Sequence, residues 1–236
     1  MKMKRLVAAI LSASALAAAA DTVTGSNEIG TLAITSTLKN TVVAVPFKTL
    51  GGSVDAVKPQ ELVLTANLTE GDQLYIFQGG AYKGYVLGSS GWEGVDNASI
   101  GSDGLPTCTA ATDSTTVATG SGFWLVRKDV PAEPFTFYIY GEYKADVASS
   151  ITAGAQNLIA NPLAVPANPE FSLTPANGDA ILFPQAGVLP KRYTYKNGEW
   201  HCDLVTGLPA FAAGQGAWYI SKGSEDMTCI WIKEGE

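Results

Sequence analysis

The sequence predicts an all-β protein: two tandem, related β-sandwich or barrel-like modules that follow a cleaved signal peptide. Three observations support this class. Short aromatic and β-branched segments alternate with a period of two, clusters of Gly, Pro and Ser separate them, and blocks of the first half return in the second. Charged residues make up 16% of the chain and apolar residues 46%, which is typical of a folded rather than a disordered protein.

The N-terminus has the three parts of a secretory signal. A basic start at 1–5 leads into an apolar stretch at 6–16 and then into the small residues Ala17 to Ala20. We therefore expect residues 1–20 to be a signal peptide that is removed before Asp21. Neither this stretch nor any later one has the length of a membrane span, so we expect no transmembrane span in the mature chain. The expected location is beyond the inner membrane of a bacterium: periplasm, cell surface or medium.

The net charge of the mature chain argues against two classes of partner. The predicted signal holds three of the 15 basic residues, which leaves 12 basic against 22 acidic residues and a net charge of −10. A field of this sign repels nucleic acid and anionic lipid. We therefore predict no nucleic-acid partner.

Five sequence blocks of the first half recur in the same order in the second half. They are 40–47 with 156–163, 71–77 with 178–184, Trp92 with Trp200, 120–125 with 214–219, and 136–140 with 228–232. The offset falls from 116 to 92 residues along the chain, so the second copy has shorter loops. We predict copy one at 27–143, a linker at 144–150, and copy two at 151–234.

Local signals place three further features. The alternating runs at 192–202 flank Asn197 and Gly198, which is typical of a type I′ hairpin turn. Pro59 predicts a short helix over 59–64. The stretch 94–119 is polar and rich in Gly, Ser and Thr, and we expect it to be a surface loop.

The repeated Gly-x-Gly-x-Trp blocks indicate structure rather than phosphate binding. The dinucleotide fingerprint requires a third glycine and a following helix, whereas a strand-like run follows here. We interpret both glycines of each block as a sharp turn into a buried strand. We expect the tryptophans that recur between copies to lie in the core, because one indole buries on the order of 200 Å². They are Trp92, Trp124, Trp200 and Trp218.

One candidate binding surface emerges from the strand pattern. Tyr138 and Tyr140 alternate with Phe137 and Ile139, so one face of this strand is expected to expose tyrosines. A cell-surface protein or a glycan is the partner that we expect there. No other binding residue is predicted.

The sequence predicts no catalytic residue, no metal site and no cofactor. The single histidine, His201, excludes a three-histidine zinc site and the two-histidine metalloprotease helix. Three alternatives stay open: a Cys–His pair, a two-carboxylate hydrolase and a calcium loop. Their residues would be His201 with Cys108 or Cys229, Glu93 with Glu199, and the cluster of Asp96, Asn97, Ser99 and Asp103.

Three cysteines in an exported chain leave one thiol over. We favour a disulfide between Cys202 and Cys229, because both lie on strand-like segments of the second copy. Connectivity cannot be read from spacing, so a bridge between Cys108 and Cys202 stays open.

Several blocks resemble repeat modules of secreted and surface bacterial proteins. In those modules a W-N-L-I-x-N-P strand leads, after a Gly-Asp strand and a Tyr-rich hairpin, to G-x-G-Y/F-W. The matching segments here are Asn157 to Pro162, Gly178-Asp179, Tyr193-x-Tyr195, Gly198-x-Trp200 and Gly214-x-Gly216-x-Trp218. Copy one departs from the pattern, since Thr41-Val42 replaces the leading Asn-Leu and Val45 replaces the Asn before Pro46. The resemblance covers essentially the whole mature chain but implies no specific activity and no functional residue.

We therefore expect an exported, non-enzymatic structural or interaction protein that serves surface assembly or adhesion. The first alternative is a glycan-binding protein that uses exposed Trp or Tyr faces. The second alternative is a hydrolase built on two carboxylates.

Overall fold

The computed structural model describes residues 29–78, 80–97, 107–129, 131–143, 148–185, 189–203 and 205–233. Of these residues, 53% are in strands and 4% in helices, which confirms the all-β class. The strands form small, almost entirely antiparallel sheets that are set in a ring, as in a propeller. The predicted signal peptide at 1–20 lies outside the described residues. No helix in the described part of the chain is long and apolar enough to cross a membrane.

The first half of the chain builds two sheets, which we call sheet 1 and sheet 2. Sheet 1 has the order β1-β10-β3, with β4 also paired to β10; sheet 2 has the order β2-β9-β5-β6-β7, with β8 parallel to β6. The strands are β1 (Ile29–Ser36), β2 (Asn40–Ala44), β3 (Phe47–Lys48), β4 (Val63–Leu64), β5 (Gln73–Gln78), β6 (Ala81–Gly88), β7 (Gly91–Val95), β8 (Cys108–Ala110), β9 (Gly122–Val126) and β10 (Phe135–Tyr143). A helical turn, α1 (Pro59–Leu62), and a 3₁₀ turn (Thr65–Asn67) flank β4.

The second half builds sheet 3, with the order β12-β18-β14-β15-β16-β17, and sheet 4, with the order β11-β19-β13. Its strands are β11 (Ser149–Ile151), β12 (Gln156–Ala160), β13 (Ala167–Phe171), β14 (Ala180–Phe183), β15 (Lys191–Lys196), β16 (Glu199–Cys202), β17 (Val205–Thr206), β18 (Gly216–Ile220) and β19 (Met227–Lys233). Five strands of sheet 3 follow the same order as sheet 2 when the strands are matched along the chain. Every block that recurs in the sequence lies on a matched pair of strands.

Each half has its own apolar core between its two sheets. In β1 and β10 the side chains alternate between faces, so Leu32, Ile34, Phe137 and Ile139 point inward, while Ala33 points outward. The inward residues of sheet 2 complete this core, chiefly Leu74, Ile76, Phe123 and Leu125. The core of the second half is more aromatic; its large rings are Phe183, Tyr193, Tyr195, Trp200, Phe211, Tyr219 and Trp231.

The hairpin prediction is confirmed, whereas two other local predictions are wrong in part. Asn197 and Gly198 join β15 to β16 with φ values of 53° and 92°. The helix ends at Leu62 instead of residue 64, because β-branched Val63 pairs with β10 instead. The stretch 94–119 is not all surface loop, because β8 pairs with β6 and buried Val117 bridges to Val57.

The segment predicted as a linker, 144–150, contributes to a sheet at its far end. Strand β11 begins at Ser149, which is fully buried and pairs with Cys229. Residues 144–147 lie outside the described residues.

Candidate functional site

Two buried aspartates occupy the same place in the two halves. Asp72 and Asp179 precede β5 and β14 and are 0% and 1% exposed. Each follows a glycine with positive φ, 95° at Gly71 and 96° at Gly178. An L side chain rarely adopts such a φ, so the repeated Gly-Asp pair encodes a fixed turn.

Each aspartate ties this turn to the chain that leaves the neighbouring strand. Asp72 accepts hydrogen bonds from the backbone N–H groups of Thr69 and Lys128, both at 2.8 Å. Asp179 accepts them from Ala176 at 2.9 Å and from Lys222 at 2.5 Å. Lys128 lies two residues beyond the end of β9, and Lys222 lies two residues beyond the end of β18. β9 and β18 are the second strands of sheets 2 and 3. We call this arrangement the aspartate clamp.

The third partner of the clamp differs between the halves. Arg127 Nε lies 2.8 Å from a carboxylate oxygen of Asp72, and the Arg127 side chain is largely buried. In the second half the Tyr219 hydroxyl donates to Asp179 at 2.5 Å. Burial, and then the bond to the Asp179 carboxylate, raise the pKa of Tyr219 well above its ordinary value. Each carboxylate therefore contacts two backbone N–H groups and one side-chain partner, which suits a positioning role.

The two halves meet through reciprocal backbone contacts. Val43 of β2 bridges to Gln215, and Ile159 of β12 bridges to Ser121. Val43 and Ile159 hold matched positions, and so do Ser121 and Gln215. The same pair of positions is thus used twice, once in each direction between the halves. Such reciprocal use is typical of an isologous interface. The halves therefore contact each other as the subunits of a twofold dimer do.

A shared aromatic cluster fills the interface between the halves. The rings of Trp124 and Trp218, which hold matched positions, meet edge to face with centroids 5.2 Å apart. Trp124 is 8% exposed, whereas Trp218 is only partly buried and directs its Nε1 at the Tyr82 hydroxyl at 3.4 Å. The other members of the cluster are Val42, Tyr75, Phe77, Cys108, Val126 and Leu158.

The prediction for the tryptophans is confirmed for Trp124 and Trp200, which are buried, and is confirmed in part for Trp92 and Trp218, which are partly buried and pack against the core clusters. The contact between the halves was not predicted. The second glycine of each Gly-x-Gly pair carries the signal that would have pointed to it.

Our interpretation of the two glycines is half right. Gly120 and Gly214 have positive φ and form the turn. At Gly122 and Gly216, however, the missing side chain makes room for the other half. A Cβ on Gly216 would lie 2.4 Å from Val42 Cγ1, and one on Gly122 would lie 3.2 Å from Leu158 Cβ.

The predicted binding residues Tyr138 and Tyr140 lie together on the outer face of β10. Both are half-buried, while Phe137 and Ile139, which alternate with them along the strand, are fully buried. Ala33 of β1 lies beside Tyr138 in the pairing register. In the second half, matched positions on β19 carry Ile230, which is 47% exposed, and Ile232.

All three cysteines are buried thiols in the structure. Cys202 and Cys229 line the same core, but no bridge joins them. Burial raises the pKa of the Cys229 thiol and of the Cys108 thiol, which disfavours the nucleophilic thiolate that a Cys–His pair would need. The Cys202–Cys229 disulfide stays a prediction for mass mapping.

The residues of the alternative chemical sites are scattered. His201 is half-buried on β16, and Glu93 and Glu199 are exposed on β7 and β16, in different sheets. Asp96 accepts a hydrogen bond from the backbone N–H of Ala110 at 2.6 Å. Ser99 and Asp103 of the suggested calcium loop lie outside the described residues. Within the described ranges, no three His, Cys, Asp or Glu side chains are grouped as metal ligands.

A shallow pocket of about 350 Å³ opens beside the clamp of the second half. It is lined by Leu173, Thr174, Ala176, Asp179, Ser221, Gly223, Ser224, Glu225 and Met227. Its one deep carboxylate, Asp179, is already occupied by the clamp bonds. The pocket therefore offers a ligand mainly backbone and small side chains.

No known protein family, curated protein or solved structure matches this chain.

Proposed function

We propose that this chain is an exported bacterial structural or interaction protein of the cell surface or periplasm, which serves assembly or adhesion without catalysis. The proposal rests on one observation: the residues that recur in both halves have structural roles. The Gly-Asp pairs fix turns through the aspartate clamp, and the matched tryptophans join the halves. Residues that recur in both halves thus serve positioning.

The proposal includes two related modules that arose by tandem duplication. The matched strand order of sheets 2 and 3, the two clamps and the reciprocal contacts support it. For example, Leu87 and Tyr195 donate to the carbonyl groups of Asp72 and Asp179, both at 2.8 Å. Two modules joined in this way form a stiff unit that presents fixed outer faces. The basic, apolar and small-residue order of 1–20 supports export.

The test starts from the secreted form, residues 21–236, produced with its own signal. Cell fractions of the producing bacterium are separated into cytoplasm, periplasm, envelope and medium and are analysed on native gels. We expect the protein outside the cytoplasm and in a complex, either with itself or with an envelope component. A monomer that stays in the cytoplasm and is not retained by envelope, glycan or protein fractions would contradict the proposal.

A glycan-binding role is the second candidate, and the face that exposes Tyr138 and Tyr140 favours it. Both tyrosines are half-buried, and their register neighbours on β1 are the small residues Ala33 and Thr31, beside which the exposed part of each ring can stack on a sugar ring. The test is a glycan array with the wild type, with Y138S/Y140S, and with I230S/I232S as the matched control on β19. Binding that Y138S/Y140S abolishes and the control keeps would favour this role.

The less favoured candidate is a hydrolase that uses Glu93 and Glu199. Both side chains are exposed and lie in different sheets, on β7 and β16, so the structure gives no support for the close pairing of two carboxylates that such a hydrolase needs. Any hydrolase activity of the purified protein that survives E93Q and E199Q would remove these residues from consideration.

A further inference from the structure

Among the described residues, the sheet edges that are compared here are protected in the ways that prevent unwanted strand pairing, with one exception. The edges at β2 and β12 are covered by the opposite half. β3, β4 and β17 have two residues each, and β11 has three. β13 carries Pro169 and Glu170, and β7 carries the exposed Glu93. Short length, proline, charge and covering are the common protections of edge strands.

Within the part of the chain that the structure describes, strand β1 has none of these protections. Its eight residues, Ile29 to Ser36, include no proline and no charged side chain. It pairs with β10 along its whole length, and among the described residues no strand pairs with its other edge. Half of its backbone N–H and C=O groups therefore point away from the sheet. A long, uncharged edge of this kind accepts a further strand through main-chain hydrogen bonds.

The order of residues in β1 fits a second copy of itself. The central segment, 31–35, reads Thr-Leu-Ala-Ile-Thr and is symmetric in residue type about Ala33. In an antiparallel pair centred on Ala33, Leu32 lies opposite Ile34 of the other copy, and Thr31 lies opposite Thr35. The Thr–Thr pair is favourable across strands, the Leu–Ile pair is apolar, and no like charges meet.

We propose that β1 is a self-association edge, through which two copies of this chain pair antiparallel about Ala33. Sheet 1 then continues across the dimer in the order β3-β10-β1-β1-β10-β3, and the Tyr138 and Tyr140 faces of both copies form one surface. This inference rests on the proposed interaction role, for which it names the partner.

The net charge of the chain makes this edge the favourable place for two copies to meet. Mature copies carry the same negative sign and repel each other over most of their surfaces. At about 0.15 M salt, charges more than about 8 Å apart are largely screened, so an uncharged edge allows close approach. A seven-residue pairing is small, so we expect a weak dimer in the micromolar range.

A charge-register experiment tests the pairing with the mature full chain. In T31K/T35K, each added lysine lies opposite a lysine of the other copy, so we expect dimerisation to weaken on the order of tenfold. In T31K/T35E, each lysine lies opposite a glutamate, so we expect dimerisation near the wild-type level. Both positions are on the outer face of β1, and circular dichroism with thermal unfolding checks the fold of each variant. Sedimentation velocity over a concentration series measures the dimer.

T206K/T228K is the matched control, since both threonines are exposed and lie away from β1. It adds the same charge as T31K/T35K and should dimerise at least as well as the wild type. A wild type that remains monomeric at every concentration overturns the inference, and so does a dimer that T31K/T35K leaves intact. A monomer that still binds envelope fractions would contradict the self-association alone and leave the proposed interaction role in place.

Discussion

The two aspartate clamps solve one structural problem with different chemistry. In both halves the carboxylate accepts a hydrogen bond from the backbone N–H of the residue three positions earlier in the chain. It accepts a second one from a backbone N–H just beyond β9 or β18. The remaining partner is a guanidinium at Asp72 and a phenol at Asp179. The two backbone bonds are thus the shared feature, whereas the third partner differs: a cation at Asp72 and a neutral hydroxyl donor at Asp179.

Removing either carboxylate should have the largest effect. D72A and D179A each leave two partly buried N–H groups without their acceptor, and we expect a loss of about 3–5 kcal/mol in the free energy of unfolding. D72A also leaves the largely buried Arg127 cation without its counter-ion, whereas D179A leaves a neutral hydroxyl. D72N should therefore cost more than D179N. Urea unfolding at pH 7 measures all four variants.

A cost below about 1 kcal/mol for either alanine variant would show that the clamp does not hold its turn. Equal costs for D72N and D179N would mean that the guanidinium and the phenol contribute equally to the free energy of unfolding. The two third partners would then differ in residue type but not in energy.

The tryptophan pair tests the interface between the halves. W124A removes a buried indole, and we expect a cost of about 3–5 kcal/mol. W218A should cost less, about 2 kcal/mol, because Trp218 is partly exposed. In a double-mutant cycle the edge-to-face contact should appear as a coupling of about 0.5–1.5 kcal/mol. Additive effects would mean that the two rings stabilise their own halves and not the joint.

The sequence predicted local features well because their causes are local. Period-two alternation and turn residues predicted the strands at 136–140, 192–202 and 228–232, and the Asn197-Gly198 hairpin follows directly from backbone preferences. The repeated blocks lie on strands in both halves. The helix at Pro59 was overextended because pairing of Val63 with β10 is a long-range effect.

The functional roles of the repeated residues could be predicted only in part. The recurrence of Gly-Asp was visible, but a buried carboxylate reads like an exposed one until its N–H partners are known, and Lys128 is 56 residues from Asp72. Period-two alternation shows that Trp124 and Trp218 lie on one face of their strands. It does not show that this face packs against the other half of the chain. The second glycine of each Gly-x-Gly pair held that information, because the nearest atom to a Cβ at Gly122 is Leu158 Cβ and the nearest to one at Gly216 is Val42 Cγ1, each in the opposite half.

The glycines at the joint should show how far the twofold relation holds. A Cβ on Gly216 would lie 2.4 Å from Val42 Cγ1 and 3.1 Å from the Val42 carbonyl carbon, so G216A should cost about 1–3 kcal/mol. The nearest atoms at Gly122 are 3.2 and 3.3 Å away, so G122A should cost less than about 1 kcal/mol. Thermal unfolding at pH 7 compares the two. The opposite order would show that the joint relaxes on the Val42 side.

The alkaline range separates the two clamps by their third partners. Y219F should cost about 1 kcal/mol at pH 7, because it removes the hydrogen bond to Asp179. The folded pKa of Tyr219 lies above its unfolded value, so its contribution is fully present below about pH 10 and is lost as the pH rises further. The stability gap between the wild type and Y219F should therefore narrow above about pH 10.

R127M provides the comparison in the first half, because a guanidinium does not titrate in this range. The gap between the wild type and R127M should stay constant from pH 8 to pH 11, as measured by urea unfolding at fixed salt. Burial also raises the pKa of Tyr82 and of Tyr85, so the wild type itself loses stability in this range. This loss is common to the wild type and both variants. The stability differences between the wild type and each variant therefore report on the clamps alone. A Y219F gap that does not change with pH would mean that the phenol stabilises Asp179 through packing and not through its proton.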